Sequence, residues 1–401
     1  MYFLAEYTPD AVEHRPIRII EVATLTRIGP DGDPVHDYNL RRRRSAELNE
    51  GLLELLCCPK CLGTQLDLTS FESSNGEIGS GFLRCSACGR FYFIVDGIAR
   101  LITEQFAPLI ATSWAIERRG QFGQWRTQLD EFLHGLEKSE TEEATKWNLD
   151  DIAFWEGEVY SDPAQRDRYL TGVERSRSDA GNRTYPREKH IFSHVRKEVL
   201  GRTVVDHGCG YSQTVRALMN PQRVDYRYIG TDLAVSALVA NRQTLRGEFV
   251  QCSVNALPFA KESIDIALCL GTLHHLHRPH VALEKIIETI RPGGLLGLHE
   301  VIGKRRAVAK WSRPVESAHN AAIDPDRTLA ILRSECEVIE LKWEYSPIRG
   351  LVVSRVGEAM RTRPWLTRAV IRMDDVVIGT LGRAFPLFGS RSMVALARKH
   401  G

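Results

Sequence analysis

Long apolar runs are the first thing missing from this 401-residue sequence. No stretch approaches the roughly 20 consecutive apolar residues that a membrane-spanning helix needs. A strong charge of either sign is missing too: 53 Lys and Arg face 51 Asp and Glu, a formal net charge of +2. Proteins that wrap nucleic acid carry a strongly basic footprint, so contact with RNA would have to rest on a local patch. Internal repeats and long low-complexity segments are absent. The opening MYFLAEYTPD has early acids and too short an apolar stretch for a secretory signal, which predicts a cytoplasmic protein. In a reducing compartment the nine cysteines point to metal or thiol chemistry before a disulfide framework. What is present is 43% hydrophobic and 26% charged residues, the composition of a soluble globular protein, in a length that suits two or three domains.

Residues 1 to about 50 are the least legible. IRIIEVATLTRI has strand composition and GPDGDP is turn chemistry. The run RRRR at 41–44 reads as a solvated charge block, with RNA or anionic lipid as the alternative partner. Beyond residue 103 the chain turns polar and tryptophan-rich, with a helical stretch expected over Thr112 to Glu137. YPREKHIFSHVRKEVLG is a punctuated helix, with Pro186 in its first turn and Gly201 at its stop. Ile191, Phe192, Val195 and Val199 give it one apolar face. His190 and His194 lie four apart but lack a third ligand nearby, so they read as surface histidines. After Gly201, TVVDHG, YRYIGTD, EFVQC, IDIALCLG and LLGLHEVI read as strands, with helices at 234–245 and 280–290 between them. That alternation predicts a parallel sheet covered on both faces, with ligands at the carboxyl ends of its strands.

Two CxxC knuckles, CPKCLG (58–63) and CSACGR (85–90), have the spacing of one four-cysteine zinc site at Cys58, Cys61, Cys85 and Cys88. Two thiolates three apart on a tight turn reach one tetrahedral ion, and Gly63 and Gly89 let backbone N–H groups approach sulfur. Iron is the alternative metal, and four unrelated buried or redox cysteines the bland one. Cys57 has the wrong spacing and is a bystander. With no open position, the site should be structural. LLELLCCPKCLGTQLDL…GFLRCSACGRFYFIVDGIARLI resembles, over about fifty residues, the small zinc-ribbon family whose free-standing members bind and activate tRNA and protein methyltransferases.

In VVDHGCGYS (204–212), Gly208 and Gly210 allow a tight turn and close approach to a ligand. Asp206 at the strand end would repel a pyrophosphate seated on the following helix but favour an ammonium group. The third glycine of the dinucleotide fingerprint is missing, with Ser212 in its region. Asp232 ends the next strand, 22 residues past Gly210, where a carboxylate can accept from both ribose hydroxyls. An adenosine with a free ribose and a cationic tail meets both demands, and S-adenosylmethionine is such a molecule.

Residues 203 to about 302 resemble the class I S-adenosylmethionine-dependent methyltransferases, the large group that includes quinone and natural-product enzymes. VVDHGCGYS is similar to their first motif and YIGTDLA to their second. FVQCSVNALPFAKESIDIALCLGTLHHL resembles the segment from the adenine-binding loop to the fourth strand. ALEKIIETIRPGGLLGLHE resembles the helix, Pro-Gly-Gly turn and fifth strand. The resemblance implies an α/β, Rossmann-like doubly wound sheet closed by a C-terminal antiparallel hairpin, from CEVIELKWEY and RSMVALARK, plus the small N-terminal zinc ribbon. It implies S-adenosyl-L-methionine as cofactor. Gly208, Cys209 and Gly210 would lie along its methionine portion, with Asp206 at the amino end and Asp232, next to Leu233, at the ribose. Ser253 and Val254 would border the adenine, and Leu270 and Gly271 the sulfonium. Ser253 stands where the family usually has an acid or amide, with Asn255 as a substitute; His207 and Ser212 also depart from the common pattern. Four segments follow: an extension at 1–50, the ribbon at 51–102, a mostly helical linker or cover at 103–184, and the methyltransferase domain at 185–401. That domain holds an apolar, arginine-bearing insertion at about 346–389, read as a packing helix, a lid, or a contact with a membrane surface.

Methyl transfer from a sulfonium is an in-line displacement in which the protein supplies alignment and, for a hydroxyl acceptor, a base. Candidates at the ends of strands four and five are His275 and Glu300, among His274, His277 and His299. The expected reaction is methylation of a small molecule, a lipid, quinone, sugar or secondary metabolite. An RNA methyltransferase is the alternative enzyme, although ribbons of that kind tend to mix histidine into the cysteine pattern. A non-catalytic ribbon scaffold is the alternative from another class. Oligomeric state is not legible.

Overall fold

A computed structural model describes residues 48–74, 76–136, 188–212, 225–302, 323–344 and 392–401, with isolated positions between them. The arginine run at 41–44, most of 137–187 and most of the 346–389 insertion lie outside the described residues. Residues 46–401 form one compact unit.

The N-terminal part of that unit opens with strand β1 (Leu48–Asn49) and the single turn α1 (Glu50–Leu53), then a meander of β2 (Leu66–Ser74), β3 (Glu77–Cys85), β4 (Phe91–Val95) and β5 (Ile98–Arg100). Pairing from β2 through β5 is antiparallel throughout. Strand β4 is buried on both sides, and its alternation shows why. Phe91, Phe93 and Val95 enter one apolar cluster, and Tyr92 and Ile94 another.

Helices α2 (Thr112–Glu117) and α3 (Arg126–Leu136) lie on the phenylalanine face. The single helix expected over Thr112 to Glu137 is broken. A 3-10 segment at Arg119–Trp125 separates the two, and Gly123 adopts φ +52°, a conformation outside any helix. Phe122 from this break stacks on Phe82 at 4.7 Å, and Trp114 meets Phe93 at 5.7 Å. Arg84 and Arg90 lie over Trp125 and Phe132. The tryptophan-rich stretch thus packs on the ribbon, and its described helices form part of the ribbon's own core.

Helix α4 (Glu188–Glu198) buries the expected face: Ile191, Phe192, Val195 and, just past its end, Val199. Gly201 follows with φ +69°, the left-handed stop that glycine permits. Then come β6 (Thr203–His207), β7 (Arg227–Asp232), α5 (Val235–Thr244), β8 (Glu248–Gln251), β9 (Ile264–Leu270), α6 (Pro279–Thr289), β10 (Ile290–Val301), α7 (Pro325–Glu335), β11 (Cys336–Glu344) and β12 (Ser392–Lys399). Their order across the sheet is β8-β7-β6-β9-β10-β12-β11. The first five are parallel, and β12 runs antiparallel between β10 and β11. This is the doubly wound sheet with its closing hairpin. Strand order reverses between β6 and β9, which is where such sheets bind ligands.

The ribbon and this sheet are one sheet. Strand β5 pairs in parallel with β8, Ala99 opposite Val250 and Arg100 opposite Gln251. The Leu101 and Cys57 N–H groups donate to Gln251 and Pro258 carbonyls, and the Ala260 N–H donates to Leu55. Arg227 holds Glu248 through two bonds of 2.6 and 3.0 Å and reaches the Gly51 carbonyl with its third nitrogen. Leu52 and Leu56 are fully buried in the same cluster as Phe259, Ile286 and Leu332. Truncation of Leu56 to alanine should cost about 2–5 kcal/mol. It should lower one shared unfolding transition rather than a ribbon transition alone, as read by calorimetry beside tryptophan fluorescence.

Candidate functional site: the glycine turn and the ends of strands four and five

The glycine turn leaves β6 at the sheet's carboxyl edge. Gly208, Gly210 and Ser212 all have positive φ, of +66°, +47° and +51°. A side chain at Gly208 would strike Thr272, whose atoms lie 2.3 Å from where its Cβ would stand. Only glycine fits there. The Thr272 hydroxyl donates to the carbonyls of His207 or Gly208, so this turn and the loop after β9 lock together.

The turn is held by a chain of side chains. The Asn241 amide donates to the Gly210 carbonyl at 2.6 Å and to the Ser212 hydroxyl at 2.9 Å. Tyr228 lies 2.7 Å from that hydroxyl and 3.0 Å from the Asp206 carboxylate. A phenol has one proton, so the order that satisfies every group is Asn241 to Ser212 to Tyr228 to Asp206. Burial, then the Asp206 charge, pushes the Tyr228 phenol well above its ordinary value and keeps it a donor. Ser212 stands where relatives of the resembled family have glycine, and its left-handed backbone explains that preference. Its hydroxyl, fixed twice, offsets the strain of a side chain there. Tyr228 opens the YIGTDLA segment, but nothing in that segment announces a hydroxyl that braces the turn, and Asn241 sits at an ordinary helix position with no motif around it.

Asp232 ends β7 with one oxygen on the Gly210 N–H and the other on the Ala234 N–H, both at 2.8 Å. It is half-buried, as are Gly208, Gly210, Leu233, Leu270 and Gly271, while Asp206, Cys209, Ser253 and Val254 are buried. The expected cofactor residues therefore come together at one edge, on the ends of β6, β7, β8 and β9. Ser253 caps a short 3-10 turn, its hydroxyl accepting from the Asn255 N–H. His207 is wholly buried, held neutral by a desolvation that takes its pKa down to about 3, with its ring against Phe259.

The two catalytic candidates separate. Glu300, at 1% exposure, is enclosed. It accepts from the N–H groups of Thr272, Leu273 and His274 and from the His274 ring at 2.9 Å. Burial would raise its pKa, but the His274 bond and charge and the backbone N–H groups outweigh it, leaving the carboxyl below its ordinary value. A carboxylate engaged on both oxygens is a poor proton acceptor, and through these bonds Glu300 holds the 272–275 loop. His275, like Thr272, is half-exposed in that loop, its ring 4.1 Å from that of His274.

At the ribbon, the four sulfurs of Cys58, Cys61, Cys85 and Cys88 all lie within 4.8 Å of one another. The pairs Cys58–Cys88 and Cys61–Cys85 are each 3.6 Å apart. Tetrahedral zinc at its usual bond length to sulfur spaces the sulfurs by about 3.8 Å, so the cluster fits zinc. Among the described residues this is the one grouping of metal-ligating side chains. Cys57 is not one of the four, and its thiol is raised to about 11 by burial and the neighbouring cysteines.

Residues 205–298 match the methyltransferase domain family, and residues 49–97 match the Trm112p-like protein family. The chain carries an S-adenosylmethionine-dependent methyltransferase domain, and a Trm112p-like ribbon precedes it. It is 27% identical over 222 residues to a fatty-acid O-methyltransferase of Mycolicibacterium smegmatis, covering 55% of this chain and 75% of that one. It is 30% identical over 136 residues to a methyltransferase of Mycobacterium avium, covering 29% of this chain and 53% of the relative. The chain thus spans three quarters of the first relative's length and about half of the second's. A solved complex of the Haloferax volcanii Trm112 methyltransferase activator with a methyltransferase aligns at a TM-score of 0.38 and 16% identity, over 63% of this chain and 98% of that one.

Replacing Tyr228 with phenylalanine should leave Asp206 and Ser212 short of a partner in a buried place and cost about 1–3 kcal/mol. Urea unfolding would read that loss, and the variant should also bind S-adenosylhomocysteine more weakly than the parent.

Proposed function

We propose that this chain methylates a small-molecule acceptor with S-adenosylmethionine, and that its ribbon is a structural zinc module docked permanently on the catalytic sheet. The observation that carries the reading is the half-buried Asp232 carboxylate, which grips the glycine turn beside the point where strand order reverses. In this reading Asp232 receives the ribose hydroxyls, and Leu233 and Val254 flank the adenine. Gly208 to Gly210 follow the methionine portion, and Leu270 and Gly271 face the sulfonium. Bound cofactor supplies the electrophilic methyl carbon. The protein aligns the acceptor and excludes water, and the loop that Glu300 organises presents His275 to the acceptor side. Asp206 supports the turn through Tyr228, so its contribution to the cofactor's ammonium end is largely electrostatic.

The fatty-acid O-methyltransferase relative makes a lipid carboxylate the first acceptor to test. A carboxylate is already a competent nucleophile, whereas a hydroxyl acceptor needs proton removal. Labelled S-adenosylmethionine should therefore be offered with long-chain fatty acids and with hydroxylated quinols and metabolites in parallel. On a hydroxyl acceptor, His275→Ala should lower kcat by about a hundredfold, within the range of general-base catalysis. On a fatty acid the same change should be small, and S-adenosylhomocysteine affinity should stay within about twofold by calorimetry. Failure of the parent protein to bind S-adenosylmethionine would defeat the reading, and labelled RNA as the methylated product would replace its acceptor class.

Cys58, Cys61, Cys85 and Cys88 would hold the zinc with no open position, so its contribution is to folding. One zinc per chain is expected by elemental analysis. Because the ribbon shares its core with the catalytic sheet, chelation should lower the melting temperature of the whole unit. An unchanged catalytic-domain melt after zinc loss would oppose this coupling.

A further inference from the structure

Helix α5 starts three residues after Asp232 and lacks a side-chain cap of its own: Ala234 is the N-cap residue, with no side chain to accept an amide. Asp232 reaches the Ala234 N–H. The Ser236 N–H is taken from elsewhere. Glu156, 80 residues earlier in the chain, accepts it on Oε1 at 3.1 Å, and its other oxygen meets the Ser236 hydroxyl. Glu156 belongs to the stretch that follows the ribbon and its packed helices. The same neighbourhood holds other parts of the ribbon half. Arg100 of β5 is half-buried and feels the charges of both Asp96 and Glu156. Leu233, beside Asp232, packs on the aromatic cluster built from Phe82, Phe91 and Phe122.

We propose that Glu156 is a positioning residue for the cofactor, clamping the ribbon-bearing half of the chain onto the start of α5 and so setting Asp232 for the ribose. The proposal rests on the reading of this edge as an S-adenosylmethionine site. A helix that begins with alanine gains from an acceptor supplied by another segment. Here the acceptor arrives only when the appended half is docked. Cofactor affinity is thereby tied to that docking.

The chemistry favours a protonated clamp. Both Ser236 groups are placed to donate to Glu156; a neutral carboxyl keeps the N–H on its carbonyl oxygen, and the hydroxyl can turn to accept the carboxyl O–H. The neutral form also places no second negative charge beside Asp232. Burial pushes the Glu156 pKa up from 4.5 to about 7; Asp232 adds to the rise, while the Ser236 and Val235 N–H groups and Arg100 oppose it. The folded value is the higher one. Docking is therefore strongest in acid and weakens as pH rises from 4.5 through about 7. Glutamine reproduces the protonated form, a carbonyl to accept and an N–H to donate, without a titration.

The test is titration calorimetry of the full chain with S-adenosylhomocysteine at pH 6 and pH 8, on the parent, Glu156→Gln and Glu156→Ala. Parent affinity should fall several-fold between the two pH values, and the fall should be smaller in Glu156→Gln. Glu156→Ala should bind about tenfold more weakly than the parent at pH 6, the scale of a lost helix cap. Should the alanine variant not fold, the difference between the parent and glutamine pH profiles decides. Alanine binding at parent affinity, or parent and glutamine profiles that coincide, would overturn the clamp while leaving the cofactor site standing. No binding by the parent at either pH would remove the site itself.

Discussion

Two residues of backbone pairing, Ala99 and Arg100 against Val250 and Gln251, join halves of the chain that the sequence separates by about 150 positions. Without that pairing, β8 is an exposed edge with unsatisfied N–H and C=O groups, the kind of edge that recruits foreign strands. Phe259 and its neighbours would also lie bare where Leu52 and Leu56 now cover them. The ribbon satisfies both needs at once. It brings a strand for the edge and two leucines for the face, and Arg227 bridges the seam to the Gly51 carbonyl. The carboxyl ends of β7 and β8, with Asp232 and Ser253, stand beside this joint.

Much of the architecture was legible. Glycine punctuation and β-branched runs announced β6, β7, β8, β9 and β10, because parallel strands buried on both faces must be apolar along their length. The four cysteines announced their own cluster, since CxxC spacing leaves little freedom in where the sulfurs go. The helix over Thr112 to Glu137 was misjudged because local propensity carries no record of Phe122, whose burial on Phe82 requires the backbone to break at Gly123. The joint between β5 and β8 was not legible either: strand pairing across such a distance leaves no periodicity in a single sequence.

The site divides the same way. Asp232 and the two glycines lie within motifs, and the backbone bonds they make follow from strand-end geometry. In the sequence Glu300 is only a carboxylate at a strand end, with the right chemistry for a base. Three backbone N–H groups and His274 consume its oxygens, and only the fold brings them there. Asn241 and Glu156 belong to no motif, Tyr228 carries no sign of its role within the second one, and all three act on the glycine turn and α5 from other elements. Each supplies what the local sequence lacks: a partner for a left-handed serine, a tether for a glycine carbonyl, an acceptor for an uncapped helix.

The continuous sheet has an outcome for stoichiometry. A free-standing ribbon associates by mass action, so several catalytic partners can compete for it and its supply can limit them all. Covalent attachment replaces that competition with an effective local concentration set by the intervening chain. Every catalytic sheet made from this sequence carries its own edge strand, and dilution of the protein cannot separate the two.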